Sequence, residues 1–383
     1  MDNNFYNSFL DGAEQAISQG TAPMQFKLHA SSAHLAPGDG ARLHTVLRRS
    51  LDNLDEELTR FEKNFSGKNN TVYWASDYDD VFDALRKLFK THKAKSVRLP
   101  NINASTVFRE LGIKYFLRDE RISLQEDADM QFFVADLMLA DTGSLLLLNQ
   151  TNGILSRLNN DRTNVFFTTI DRVVCNSAFA GIFQQIATYR TAGEQQDMVF
   201  FHGSPNCNNY LFIIDNQRTA LLHAKELRDA LTCVQCGRCS DVCPVLQTIG
   251  DEPYNNVFTG PIANVMLPYL ETFESYMHVA YACMLCGRCE EVCPLSLPIR
   301  DMIVDSRRLF LADELLEKRD RRALAALRRF LSNRSKMNAS TFRKRHLLCR
   351  FLSPDVKRSR RLPNFNKESF NKLYLNKYHA DEN

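Results

Sequence analysis

Two short cysteine blocks constrain this chain more than any other feature. They are CVQCGRCSDVCPV, beginning at Cys233, and CMLCGRCEEVCPL, beginning at Cys283, and both follow the pattern C-x-x-C-G-R-C-x-x-V-C-P. A repeat of this kind is typical of an internal duplication. We therefore expect a duplicated segment built around eight thiols.

The rest of the sequence indicates a reducing compartment for these thiols. The chain has 11 cysteines in 383 residues, and its start, MDNNFYNSFLDGAEQAISQG, lacks the basic region and long apolar run of a secretory signal. No apolar run approaches the roughly 20 residues that cross a bilayer, so we expect no membrane span. The sequence therefore predicts a cytoplasmic protein, in which clustered thiols bind metal more often than they form disulfides.

Eight thiolates are the number that two 4Fe-4S clusters require, at one thiolate per iron. The predicted ligands are Cys233, Cys236, Cys239, Cys243, Cys283, Cys286, Cys289 and Cys293. The alternative is a pair of structural zinc sites, but zinc usually takes two cysteine pairs separated by a longer gap. The isolated Cys175, Cys207 and Cys349 are expected to be ordinary buried or surface residues.

The fourth cysteine of each block is expected to bind a different cluster from the first three. It lies beyond the first three and precedes a proline, and in two-cluster ferredoxins such a cysteine binds the other cluster. We therefore predict a crossed arrangement, in which Cys293 completes the site of the first block and Cys243 completes the site of the second. The alternative is a local arrangement in which each block closes its own cluster.

Hydrophobic patterns divide the chain into an α/β part and a helical part. β-rich runs, among them TVYWA, SVRLP, KYFLR, MQFFVAD, SLLLLN, MVFFHG and NYLFIID, alternate with helical patterns such as DDVFDALRKLF, STVFREL and AFAGIFQQIATY, which predicts βαβ units and a mainly parallel sheet. An amphipathic helix leads in from Ala41, and another helix, with a kink expected at Pro268, lies between the cysteine blocks. The predicted divisions are a lead-in over 1–40, an α/β domain over 41–225, a helical ferredoxin domain over 226–332 and a basic tail over 333–383.

Charge is unevenly distributed along the chain. Residues 301–383 hold 21 Lys and Arg against 10 Asp and Glu, a net +11, which leaves −8 on residues 1–300. Basic residues of the tail alternate with Leu and Phe, as on a helix that docks on a protein. This pattern favours an acidic protein partner over nucleic acid.

Taken together, the two parts resemble the LutB-type iron–sulfur proteins of lactate utilisation. The most specific residues are the cysteine blocks, the connecting segment NNVFTGPIANVMLPYL and the loop DTGSLLLLNQTNG from Asp141 to Gly153. The 39 residues between Cys243 and Cys283 are also similar to the spacing in helical ferredoxin modules of succinate dehydrogenase and heterodisulfide reductase subunits. The resemblance implies an LUD-type α/β domain, with a sheet like those of sugar-phosphate isomerases and coenzyme A transferases, followed by an all-α ferredoxin domain.

The sequence departs from that family where a small-molecule site would lie. The polar stretch after the second strand is LPNINASTVF here, Ile154 replaces an arginine, and Asn164 stands in place of a histidine. A ligand-binding role for Thr142, Gly143, Asn152 and Gly153 has a structural alternative, because these residue types are common in turns.

The resemblance implies an electron-transfer subunit of a lactate-oxidising complex, whose partners are a cysteine-rich protein and a second LUD protein. We expect such a chain to carry electrons while a partner performs the chemistry. One alternative is a subunit that serves another 2-hydroxy acid or a quinone-linked dehydrogenase. The other is a redox-sensing regulatory protein whose basic tail contacts nucleic acid.

Overall fold

The protein is seen here in a computed structural model that describes most of the chain. The described residues are 35–67, 69–99, 116–117, 120–125, 127–149, 158, 162–191, 197–203, 207–251, 254, 259–312, 318–339 and 367–378. The chain divides into two compact units, Met1–Arg308 and Leu309–Asn383. The predicted divisions after residues 225 and 332 stay predictions.

A parallel sheet of six strands forms the centre of the first unit. Its strands stand in the order β1, β10, β7, β4, β2, β3, and every neighbouring pair is parallel. Their bounds are β1 Asn70–Ala75, β2 Ser96–Arg98, β3 Ser123–Leu124, β4 Met130–Val134, β7 Thr163–Thr169 and β10 Asn209–Ile214. The predicted mixed α/β class with a mainly parallel sheet is confirmed.

Both faces of this sheet are buried, as a parallel sheet requires. Successive residues of one strand point to opposite faces, so Phe166 belongs to one apolar core and Phe167 to the other. The first core receives helix α2 (Leu54–Phe65), and the second receives helix α3 (Tyr78–His92). Helix α3 begins at Asp77, whose Oδ1 accepts a hydrogen bond from the Asp80 N–H at 3.0 Å.

A second sheet of four strands has mixed pairing. Its order is β8, β5, β6, β9, with β6 antiparallel to both of its neighbours. The bounds are β5 Leu137–Leu139, β6 Ser144–Asn149, β8 Val173–Val174 and β9 Asp197–Phe201. The expectation that SLLLLN and MVFFHG extend the parallel sheet is wrong, because these two runs pair with each other in antiparallel register.

Two predicted elements of the α/β part are also corrected. The lead-in helix is two helices, α1 (Asp39–Asp52) and α2, which are interrupted at Asn53. Phe116 and Leu117, which fall in the run KYFLR predicted as a strand, are helical. The helix predicted over STVFREL lies outside the described residues. Helix α4 (Ala180–Ala187) falls in the predicted AFAGIFQQIATY.

The described elements that follow β10 are helical. They are α5 Arg218–His223, α6 Arg238–Asp241, α7 Pro244–Ile249, α8 Gly260–Leu270, α9 Phe273–Ala282, α10 Arg288–Glu291 and α11 Ile299–Ala312. The helix predicted between the cysteine blocks is two helices, α8 and α9, which are separated by Glu271 and Thr272. The chain therefore breaks the helix three residues after Pro268, where a kink was expected. The all-α ferredoxin fold itself stays a prediction.

The second unit is described by helices α12 (Lys318–Leu331), α13 (Arg334–Ala339) and α14 (Phe370–Tyr378). In the described part of the chain, no helix combines the length and apolar character needed to cross a membrane.

Candidate iron–sulfur site

The two cysteine blocks adopt the same backbone path. Gln235 and Leu285, each one residue before the second cysteine of its block, have φ values of 55° and 56°. Gly237 and Gly287 follow with φ values of 83° and 84°, a left-handed conformation that glycine adopts without strain. Each block then enters a four-residue helix, α6 or α10. The sequence duplication is therefore a duplication of local structure.

This path aims backbone donors at the first sulfur of each block. The Gln235 N–H donates to Cys233 Sγ at 3.3 Å, and the Leu285 N–H donates to Cys283 Sγ at 3.4 Å. A hydrogen bond from a backbone N–H favours the charged form of its acceptor, here the thiolate. Such donors are the surroundings that the thiolate ligands of a cluster require.

One set of sulfurs includes the fourth cysteine of the other block. Burial raises the pKa of Cys239, and the charges of Cys233, Cys236 and Cys293 raise it further. Burial also raises the pKa of Cys233 to about 12, with Cys236 and Cys293 again among the charges that contribute. These four thiols therefore lie within electrostatic reach of one another.

A second set surrounds a small cavity. Cys243, Cys283, Cys286 and Cys289 all line it, together with Met284 and Arg288. Burial raises the pKa of Cys243, the backbone N–H groups of α7 lower it, and the charges of Cys283 and Cys286 raise it again. Both sets therefore have the composition of the crossed arrangement, and the assignment of individual ligands stays a prediction.

The two sets differ in their exposure to solvent. Cys286 is exposed, and Met284 beside it is 64% exposed, so the second set meets the surface of the molecule. In the first set Cys239 is buried, and the other three thiols are partly covered.

The donors of each set have the chemistry that a cubane takes, which is four thiolates. A cubane places each thiolate on a different iron, so its ligands stand farther apart than those of one ion. Four sulfurs around a cavity, with backbone N–H groups directed at them, match that requirement.

The structure also shows two arginines that sequence patterns did not indicate. The Arg172 Nη1 donates to the Cys233 carbonyl at 3.1 Å, and the Arg307 Nη2 donates to the Cys283 carbonyl at 2.5 Å. These arginines lie 61 and 24 residues from their cysteines. No motif connects residues so far apart, and only the fold brings them together.

The start of the loop considered for a small-molecule role, residues 140–143, is a hairpin turn between β5 and β6. Gly143 has a φ of 63°, and an added Cβ would lie 2.4 Å from the backbone carbon of Asn64. Asp141 accepts hydrogen bonds from the Ser177 N–H and Oγ at 2.9 and 2.8 Å. These contacts favour the structural role for Thr142 and Gly143. Asn152, Gly153 and Ile154 lie outside the described residues.

Asn164 belongs to a buried ladder of asparagines at the start of three parallel strands. Its Nδ2 donates to Asn209 Oδ1 at 2.9 Å, and Asn209 Nδ2 donates to Asn70 Oδ1 at 3.0 Å. Asn164 and Asn209 are completely buried. Asn164 thus links strands β7 and β10 in this chain.

The remaining cysteines belong to neither set. Cys207 is buried, and Cys175 is partly buried, with its backbone N–H donating to Ser50 Oγ at 3.0 Å. None of the described cysteines forms a disulfide. Cys349 lies outside the described residues.

Comparison with known proteins identifies the cysteine region. Residues 229–297 match the model of the 4Fe-4S dicluster domain. The chain is 23% identical to lactate utilization protein B of Bacillus velezensis, over 80% of this chain and 78% of that one. It is also 23% identical to lactate utilization protein B of Bacillus subtilis, over 80% and 77%, and 26% identical to that of Bacillus thuringiensis, over 72% of each chain. The resemblance to lactate utilization protein B is confirmed.

A solved structure gives a weaker likeness. A DUF162 family protein from Deinococcus radiodurans is 15% identical and covers 42% of this chain and 98% of its own, with a TM-score of 0.32. That score is too low to carry an argument about the fold. The dicluster match supports iron–sulfur clusters in the cysteine region, and their number stays a prediction.

Proposed function

We propose that this chain is an iron–sulfur electron-transfer subunit of a cytoplasmic oxidoreductase complex that oxidises L-lactate to pyruvate. The observation that carries the proposal is the pair of four-cysteine sets inside the region that matches the 4Fe-4S dicluster domain. The names of the relatives, which this chain matches over most of its length, support lactate as the substrate.

The residues of the two sets have a defined task in this proposal. Cys233, Cys236, Cys239 and Cys293 would hold one 4Fe-4S cluster, and Cys283, Cys286, Cys289 and Cys243 would hold the other. Each cluster, when bound, accepts and passes on one electron at a time. The N–H groups of Gln235 and Leu285 stabilise thiolate charge at the first cysteine of each block.

The chemistry on lactate belongs to a partner in this proposal. Oxidation of lactate to pyruvate releases two electrons and two protons, so the complex needs a group that removes them from the substrate and a path that carries the electrons away. We assign the path to this chain. The proposed partners are a cysteine-rich subunit and a second LUD protein.

Anaerobic purification from the native host tests the proposal. The expected result is about eight irons and eight sulfides per chain, at four of each per cluster, together with co-purifying subunits. Lactate should bleach the visible absorbance of the complex and not that of the isolated chain. Absence of iron, or a complex that lactate does not reduce, would refute the proposal.

Two serine variants test whether the predicted cysteines bind the iron. Cys236→Ser should lower the iron content, because its sulfur belongs to the first set. Cys207→Ser removes a buried cysteine of the α/β part and should leave the iron content unchanged. Equal iron losses in both variants would contradict the assignment.

A further inference from the structure

A buried group of charges lies at the carboxyl end of strand β7. Asp171 and Arg172 belong to the short 3-10 turn that follows the strand, and Arg218 lies at the start of α5. Their side chains are 2%, 13% and 4% exposed. Arg218 Nε lies 2.9 Å from Asp171 Oδ1, and Arg172 Nε lies 3.6 Å from Asp171 Oδ2. Two guanidinium groups thus share one carboxylate, and the three side chains carry a net charge of +1.

This group contacts the first cysteine block directly. The Arg172 Nη1 donates to the Cys233 carbonyl oxygen at 3.1 Å. A guanidinium is always charged and presents several donors in a fixed plane, so it can bind the carboxylate and the carbonyl together. The sheet domain therefore places a fixed positive charge beside the first set of sulfurs.

The second block has an equivalent contact from a different source. Arg307 donates to the carbonyls of Ala280 and Cys283, with Nε to Ala280 O at 3.0 Å and Nη2 to Cys283 O at 2.5 Å. Arg307 belongs to helix α11, which follows the second cysteine block along the chain. Each block thus has one arginine on the carbonyl of its first cysteine. Only the first block receives that arginine from the α/β sheet.

We propose that Arg172, held in place by Asp171, which in turn pairs with Arg218, raises the reduction potential of the first cluster by its fixed charge. The inference rests on the proposed function. A reduced cluster carries one more negative charge than an oxidised one, so a fixed positive charge in a poorly solvated site favours reduction. Arg172 of the α/β domain then affects the potential of the first cluster, and Arg307 of helix α11 affects that of the second.

Redox titration followed by paramagnetic resonance tests this inference on the anaerobically purified chain. Arg172→Gln keeps a hydrogen-bond donor and removes the charge, so the midpoint potential of the first cluster should become more negative, while that of the second is unchanged. Arg172→Lys keeps the charge and should restore most of the wild-type value. Arg307→Gln is the matched control and should shift only the second cluster. Cys236→Ser and Cys286→Ser assign the two signals.

Asp171→Asn is expected to shift the midpoint potential of the first cluster in the opposite direction. It removes the negative charge but keeps a side-chain oxygen that can accept a hydrogen bond from the Arg172 guanidinium, so Arg172 stays in place and the potential of the first cluster should become more positive. The Asp171→Asn variant still tests the effect of this charge group on the potential if the Arg172→Gln variant does not take up iron. Unchanged potentials, or equal shifts of both clusters in the Arg172 variants, would overturn the inference. A wild-type chain without two clusters would instead refute the proposed function, so the two failures are distinguishable.

Discussion

At the residue scale, Cys293 distinguishes the crossed arrangement from the local one. It precedes Pro294 in the second block, yet its charge acts on Cys233 and Cys239 of the first block. We expect Cys293→Ser to weaken the cluster bound by the first block, because one of its irons loses a thiolate. Paramagnetic resonance of the reduced protein should show a change in the signal that Cys236→Ser removes.

The matched variant for this test is Cys243→Ser, which changes the equivalent position of the first block. It should alter the signal that Cys286→Ser removes, because Cys243 lines the cavity with Cys283, Cys286 and Cys289. If each variant altered only the signal of its own block, the local arrangement would be correct.

His44 gives a prediction on the effect of pH. Burial lowers the pKa of this histidine on helix α1 below its ordinary value of 6.5, and Arg48 lowers it further against the opposing effect of Asp229. The folded protein therefore resists protonation that the unfolded chain accepts. The stability that the neutral imidazole contributes is fully present above pH 6.5. It is lost as the pH falls from 6.5 toward the lower pKa that His44 has in the folded protein.

Thermal unfolding between pH 7.5 and about 5.5 checks this expectation, in the range where histidine titrates. The unfolding temperature of wild type should fall more steeply with acidification than that of His44→Gln, which has no group to protonate there. His223→Gln, at an exposed helix end, is the control for loss of an imidazole as such. Parallel curves for wild type and His44→Gln would show that burial of His44 does not affect stability.

Cysteine spacing names candidate ligands, but it does not indicate which other residues surround them. Cysteine spacing is local, so the eight candidate ligands could be named from the sequence. The contacts of Arg172 and Arg307 depend on how β7 and α11 pack against the blocks, and spacing carries no information about such packing. Asn164 stands in place of a family histidine, and its buried hydrogen bond with Asn209 became visible only in the fold.

At the element scale, helix α1 packs against the second cysteine block through a glycine. An added Cβ on Gly40 would lie 1.8 Å from the carbonyl oxygen of Pro294, the residue after Cys293. We expect Gly40→Ala to destabilise the protein by about 1–3 kcal/mol, the usual cost of overpacking, and to reduce iron retention. Denaturant unfolding and iron content measure the two effects.

Gly181 on helix α4 is the matched control, because nothing lies within 4 Å of its added Cβ. Gly181→Ala should be neutral or stabilising by about 0.5 kcal/mol, since alanine restricts the unfolded chain more than glycine does. Similar losses in both variants would show that the contact with Pro294 is not what matters at Gly40.

Strand pairing was the part of the fold that patterns predicted least well. The runs SLLLLN and MVFFHG are apolar and short, which is also how a buried parallel strand looks, so hydrophobicity could not assign them to the second sheet. The turn between β5 and β6 reverses the chain, and β9 then pairs with β6. The strands of the six-stranded sheet were easier, because helix and strand patterns alternate around them.

At the scale of the whole molecule, the two ends of the chain differ in charge. The +11 of residues 301–383 stands against −8 on residues 1–300, and the basic runs RKRHLLCRF and VKRSRRL lie beyond the last cysteine block. Both runs fall outside the described residues. The basic helix α12, KRDRRALAALRRFL, precedes the tail of residues 333–383 and is not part of it. We expect the tail to dock on an acidic partner subunit and to have no part in cluster assembly.

Truncation after Leu331 tests this expectation. The shortened chain should keep its iron, because all eight candidate thiolates precede the cut, and it should lose its partner. Binding of the full chain should weaken as salt rises, since the Debye length falls from about 10 Å at 0.1 M to about 3 Å at 1 M. Truncation after Leu362 keeps both basic runs and should preserve binding. Loss of iron on truncation after Leu331, or unchanged binding of that chain, would contradict a docking tail.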